Sequence, residues 1–269
     1  MPYQTYIFGG VKEPSDKTAL LWRYMDLAQL LVILDRQELF FPSIATLAEG
    51  DPYEGEPIFS KIQAAREKGA EELRRFRLQL EVFKHLNFFN CWHMNDGESD
   101  AMWKLYVKGS AGVAIRSTVS RVMDSFHKAS DTVYMSEVRY ADPDKLIAQD
   151  TSIFGISDYI FKRNAFQHER EVRLGTNRPD VRMEFFDDQG ILKIPKPGIT
   201  ADHILTSPAR KGIYVVIDVS TLVETVVVSP YASNWFSDLV SSLTKKLGYD
   251  FEIVSSEMSR PPLFKWNGL

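Results

Sequence analysis

The chain of 269 residues contains one cysteine, Cys91. That excludes an intrachain disulfide framework and any cysteine-rich zinc site, and it fits a reducing compartment. No stretch supplies the ~18 uninterrupted apolar residues of a membrane-spanning helix. The start, Met1-Pro2-Tyr3-Gln4, lacks the basic region and apolar run of an export signal, so a cytoplasmic protein without membrane contact is expected. An excess of one charge sign is also missing. With 32 basic and 36 acidic residues the net charge is −4, which provides no global field to draw the protein onto nucleic acid or an anionic membrane. The five histidines, His85, His93, His127, His168 and His203, show no metal-protease spacing. Gly9-Gly10 is isolated, and no glycine-rich phosphate loop precedes a helix, so no metal is expected and no phosphate-loop fingerprint is present.

What is present is an ordinary globular composition, 44% hydrophobic, without repeats or low-complexity tracts. Leu20 to Met25 reads as a strand, with Asp26 as N-cap of an apolar-periodic helix from Leu27 to Asp35. Glu38 to Pro42 is a second strand, and the loop from Glu49 to Pro57 is rich in acids and chain breakers. Residues 58–84 are helical in period and heavily charged, with a break near Gly69. Their alternating signs favour a salt-bridged helix, used as an insertion or lid, over a nucleic-acid face. Asn87 to His93 is a strand, and Ser99 caps a short helix holding Met102, Trp103 and Tyr106. Gly112 to Ser117 reads as a buried strand, Val119 to Lys128 as a helix, Thr132 to Tyr140 as a long strand and Ile156 to Gln167 as a helix. Segment 178–197 is hairpin-like. Strands at Gly212 to Val219 and Val223 to Ser229, a helix at Asn234 to Leu247 and a strand at Phe251 to Ser256 complete the chain. This irregular mixture predicts a single α+β domain over residues 1–269, with a mixed, largely antiparallel sheet, flanking helices and the charged helical insertion at about 58–84.

The segment Phe166-Gln167-His168-Glu169-Arg170-Glu171-Val172-Arg173-Leu174 carries the strongest functional signal. As a strand it would place Glu169, Glu171 and Arg173 on one face, about 7 Å apart in turn, with Val172 and Leu174 on the other. Such a face is either solvated and laced with ion pairs or one wall of a catalytic cleft. Arg23, between Trp22 and Tyr24, reads equally as an arginine stacked on aromatics and as a phosphate contact. Asp51 and Glu54 read first as turn and capping residues. Trp92, Trp103 and Tyr106 read as core aromatics around Cys91. Cys91 with His93 is a poor nucleophile pair, since neighbours on one strand face stand about 7 Å apart.

Several of these segments occur in an order that resembles a bacterial family of unknown function, DUF2971. They are Trp22-Arg23-Tyr24, Asp51-Pro52-Tyr53-Glu54, Asn90-Cys91-Trp92-His93, Ser99-Asp100-Ala101-Met102-Trp103, Gly112-Val113-Ala114-Ile115, Glu169-Arg170-Glu171-Val172-Arg173 and Ser229-Pro230. A second likeness is to ADP-ribosyltransferases, which order an arginine on an early strand, a polar residue on a middle strand and a late Glu-x-Glu. It implies NAD as substrate, Arg23 on a phosphate or ribose, Glu171 on the nicotinamide ribose and Glu169 orienting the acceptor. It further implies Asn90 or Ser99 as polar contacts, and Tyr24 or Trp103 stacked on a base or nicotinamide. Asn90-Cys91-Trp92 stands where many such enzymes carry Ser-Thr-Ser, and the context it implies is a toxin or anti-phage effector. The rival reading is a catalytically silent module that binds a nucleotide, a nucleic-acid end or a protein. A magnesium-dependent phosphate-cleaving enzyme using Asp51, Glu54 and Glu169 is the third.

Overall fold

The computed structural model describes residues 12–57, 59–142, 160–177 and 211–261. In chain order the elements are β1 (Leu20–Asp26), α1 (Leu27–Arg36), β2 (Glu38–Pro42), α2 (Ile44–Leu47), α3 (Phe59–Glu67), α4 (Ala70–Leu86), β3 (Asn87–Met94), α5 (Asp100–Tyr106), β4 (Gly112–Thr118) and α6 (Val119–Asp124). They continue through β5 (Tyr134–Glu137), β6 (Arg139–Ala141), β7 (Phe161–Arg163), a 3-10 turn (Asn164–Glu169) and β8 (Glu171–Asn177). The last elements are β9 (Gly212–Val216), α7 (Val219–Leu222), β10 (Thr225–Val228), α8 (Asn234–Lys246) and β11 (Glu252–Ser255). The fold is α+β. The β1–β4, β1–β3, β4–β10 and β5–β8 pairs are antiparallel, whereas β10–β11 and β6–β7 are parallel.

The chain forms two compact units, each drawn from separate segments. One takes its described residues from Met1–Ser15, Leu39–Trp92 and Phe126–Val216, and the other from Asp16–Glu38, His93–Ser125 and Ile217–Leu269. In the second unit β4 lies between β1 and β10. Trp22, Tyr24, Met102, Trp103, Val107, Ala114 and Val227 pack as one core cluster. Strand alternation puts Arg23 on the face of β1 opposite Trp22 and Tyr24, whose rings stack on each other, 6.2 Å apart. The turn into α1 is written locally. Asp26 accepts from the Gln29 N–H and the Gln29 side chain accepts from the Asp26 N–H, a reciprocal cap that satisfies two donors no helix bond can reach. Ser99 caps α5 through its hydroxyl, which accepts from the Met102 N–H.

The first unit supplies the ionic cluster. Ile44, Val82, Phe83, Phe89 and Tyr134 form its packed core, with Cys91 against it. Gly69, at φ 111°, separates α3 from α4, and α4 enters this core through Val82 and Phe83. β8 lies between β3 and β5. Close packing there depends on Gly175, because a Cβ at that position would stand 2.2 Å from the Tyr134 ring.

Two sequence expectations are corrected in this unit. The single strand expected over Thr132 to Tyr140 is two strands. Val138 N–H still donates to the Glu171 carbonyl of β8 (2.8 Å), and the backbone changes partner at Arg139, whose N–H donates to Ile160 (2.7 Å). The helix expected over Ile156 to Gln167 has its first residues, 156–159, outside the described residues, and the remainder is not α-helical. Phe161–Arg163 pairs with Arg139–Ala141 and Asn164–Glu169 is a 3-10 turn, so pairing with a distant strand overrides a helical apolar period. Segment 178–197 also lies outside the described residues.

Candidate functional site

Glu169 and Glu171 do not share a strand. Glu169 ends the 3-10 turn, Arg170 takes the left-handed conformation at φ 40°, and β8 begins at Glu171. The two acids meet nevertheless, through a lysine. Lys162 Nζ lies 2.5 Å from Glu169 Oε2, 3.1 Å from Glu171 Oε2 and 3.6 Å from Glu54 Oε1. The face is not solvated either. Glu54, Glu169, Glu171 and Arg173 are exposed by 4%, 7%, 5% and 1%, which removes the surface ion-pair reading of this segment.

Arg173 uses all three guanidinium nitrogens. Its Nε donates to Glu171 Oε1 at 2.8 Å, and its two terminal nitrogens donate to the Glu54 carboxylate at 2.9 and 2.6 Å. The terminal nitrogen shared with Glu171 reaches Oε2 only at 3.3 Å. The guanidinium also lies over the Phe89 ring, 5.7 Å from its centre. The Glu171 backbone N–H donates to the Tyr140 hydroxyl at 2.8 Å, and the Cys91 thiol hydrogen-bonds the Glu171 carboxylate. Glu54 arrives on the breaker-rich loop. There Asp51 pairs with Arg163 at 2.6 Å, Arg163 stacks over Tyr53 at 4.4 Å, and Glu56 pairs with Lys84.

These surroundings push the two acids apart. Burial by itself would raise Glu171, but the charges of Arg173 and Lys162, with hydrogen bonds from Arg173 and Cys91, outweigh it and bring its pKa down to about 2. Glu169 moves up: burial raises it and the Glu171 charge adds to that, against the opposing pull of Lys162. Burial would lower Lys162, yet Glu171, Glu54 and Glu169 together hold its pKa above the ordinary lysine value. Burial and the adjacent Glu171 charge raise the Cys91 thiol, which makes it a poor nucleophile. At neutral pH the site therefore holds one firmly ionised carboxylate beside one that takes a proton more readily than usual, the division of labour an acid–base pair requires.

The remaining sequence candidates fall as follows. Asn90 is fully buried in the first unit, where its amide donates to the Phe40 carbonyl (2.8 Å) and accepts from Trp92 Nε1 (2.8 Å). Arg23, Tyr24, Ser99 and Trp103 belong to the second unit. The Tyr24 hydroxyl accepts from the Ser99 backbone N–H at 3.0 Å and its ring meets Trp103 edge-on at 4.8 Å. Trp103 is fully buried and donates to Glu98 at 2.9 Å. Both rings are thus spent on packing, while Tyr106, expected in the core, is 48% exposed. Lys162 and Tyr140 were not singled out by sequence, because isolated residues in Phe161-Lys162-Arg163 and Arg139-Tyr140-Ala141 carry no spacing signal. For Glu54 the signal was the acidic loop itself. Among the described residues no group of three His, Cys, Asp or Glu side chains is arranged to hold a metal ion, and no helix is long and apolar enough to cross a membrane.

Comparison with known proteins gives a family match over part of the chain and then a match to a solved structure. Residues 102–174, which run from α5 into β8 and include Glu169, Glu171 and Arg173, match the family described as "Protein of unknown function (DUF2971)". No curated protein matches the chain in sequence. Among solved structures, the chain is similar to DarT of Thermus sp. 2.9, whose structure is described as a complex with carba-NAD+. The two are 9% identical, 90% of this chain and 97% of that chain are covered, and the TM-score is 0.36.

Proposed function

We propose that the first unit acts on the glycosidic bond of NAD or a related nucleotide, in the manner of an ADP-ribosyltransferase or NAD glycohydrolase. The observation that carries this reading is the Glu169–Glu171 pair on one lysine, with one acid held ionised and the other inclined to take a proton. Breaking the bond between the ribose anomeric carbon and the nicotinamide nitrogen sends the electron pair to that nitrogen and leaves an oxocarbenium-like sugar. A fixed negative charge stabilises that centre, and Glu171 supplies one. The acceptor, water or a nucleophilic group, then forms the new bond to the anomeric carbon and gives up a proton, which Glu169 is suited to receive. Glu171 Oε2, with contacts of 3.1 and 3.3 Å, is the oxygen that exchanges a protein donor for a ribose hydroxyl at least cost.

A second reading has its own support. Every carboxylate in the cluster already has a cationic partner and almost no exposure, which suits an internal brace in a binding module. One experiment separates the two: NAD binding and nicotinamide release by wild type and Glu171→Gln, with Arg23→Gln tested alongside. Release that Glu171→Gln abolishes in a folded protein supports catalysis. Absence of binding and release in wild type leaves the brace. An unchanged Arg23→Gln variant would remove Arg23 from the reading.

A further inference from the structure

Among the described residues, no acceptor takes the hydroxyl hydrogen of Tyr140. Its oxygen accepts from the Glu171 backbone N–H at 2.8 Å, which directs the hydrogen away from that bond. The other donors of the cluster are engaged: Arg173 on Glu54 and Glu171, Lys162 on Glu169 and Glu171, and the Cys91 thiol on Glu171. The Tyr140 ring is half-buried, and burial, with the Glu171 and Glu169 charges adding to it, holds the phenol pKa above its ordinary value. The hydroxyl is therefore a neutral donor at neutral pH.

Strand pairing places this donor beside the acids. Tyr140 and Lys162 are register partners in the parallel β6–β7 pair, so their side chains leave the same face about 4.8 Å apart. Both reach Glu171, Lys162 at its carboxylate (3.1 Å) and Tyr140 at its backbone N–H (2.8 Å). An ionised carboxylate only accepts hydrogen bonds, whereas a sugar hydroxyl both donates and accepts. A ribose diol can use the two kinds of partner together, one hydroxyl donating to a carboxylate while its neighbour accepts from an adjacent donor.

We infer that Tyr140 is a specificity-determining residue of this site: its O–H donates to one hydroxyl of the nicotinamide ribose while Glu171 accepts from the other, so that an intact diol is selected over a deoxyribose. The inference rests on the proposed action on NAD and adds the part of the sugar that is read and the residue that reads it.

The test compares binding of NAD and of its two analogues lacking the 2′- or the 3′-hydroxyl of the nicotinamide ribose, measured on the full chain at times short of turnover. Wild type is expected to bind both analogues more weakly than NAD, the one missing the Tyr140 contact by about three- to tenfold. Tyr140→Phe is expected to bind that analogue and NAD equally while still discriminating against the other. Phenylalanine also leaves the Glu171 N–H without its hydroxyl partner, so a purely structural role would weaken all three ligands by the same factor. That result overturns the inference and leaves the proposed function standing. Wild type decides alone if Tyr140→Phe does not fold: penalties for both analogues support the inference, and equal binding of NAD and either analogue overturns it. If wild type does not bind NAD, the proposed function fails and the ribose contact fails with it.

Discussion

Replacing Arg173 with methionine removes the charge at the centre of the cluster while retaining much of the volume. Arg173 is 1% exposed and makes four contacts, at 2.6, 2.8, 2.9 and 3.3 Å, to two carboxylates that are themselves buried. Breaking a buried pair from one side strands the other charge, which costs roughly 3–5 kcal/mol. Protonation bounds the penalty. A carboxyl of ordinary pKa 4.5 can be neutralised at pH 7 for about 3 kcal/mol, and for nothing below its own pKa. Arg173→Met should therefore lose about 3–5 kcal/mol at pH 7 and less than half of that near pH 4. The wild type moves the other way. The depressed pKa of Glu171 contributes stability above about 4.5 that disappears as pH falls toward 2, whereas the raised pKa of Glu169 makes the folded state gain as pH falls through it. Denaturant-dependent labelling of Cys91, the only thiol and a residue of the first unit, reads this unit specifically. Adding Glu54→Gln and Glu171→Gln to Arg173→Met should recover most of the loss, because no charge is then stranded. A loss under about 1 kcal/mol at pH 7, or one that does not change with pH, would refute the reasoning.

Two further outcomes test how the fold holds this site. Gly175→Ala drives a methyl group to 2.2 Å from the Tyr134 ring, so β5 and β8 must shift apart. A destabilisation of about 1–3 kcal/mol is expected in chemical denaturation, and an Ala as stable as Gly would mean that the ring moves freely. Asp26→Ala removes the side-chain half of the α1 capping box and should cost about 1 kcal/mol. Thermal unfolding reads it.

Local signals in the sequence determined the elements that local chemistry decides. Asp26 and Ser99 cap the helices expected of them, Gly69 divides the charged helical stretch where the break was placed, and Val223 to Ser229 holds the buried β-branched strand Thr225–Val228. The α+β class followed from the same signals. The acids of the Glu-x-Glu segment were visible as well, but a period-two rule put Glu169 and Glu171 on one strand, and the left-handed turn at Arg170 is set by the 3-10 segment before it. Only the tertiary structure decided whether that face is wet or dry, since burial of a charge depends on which cations the rest of the chain delivers. Lys162 comes from a strand that exists through pairing with Arg139–Ala141, and Glu54 from a loop 119 residues away in sequence. Neither partner lies at a spacing any local pattern encodes. The ionised Glu171 and the proton-seeking Glu169 are consequences of that long-range meeting.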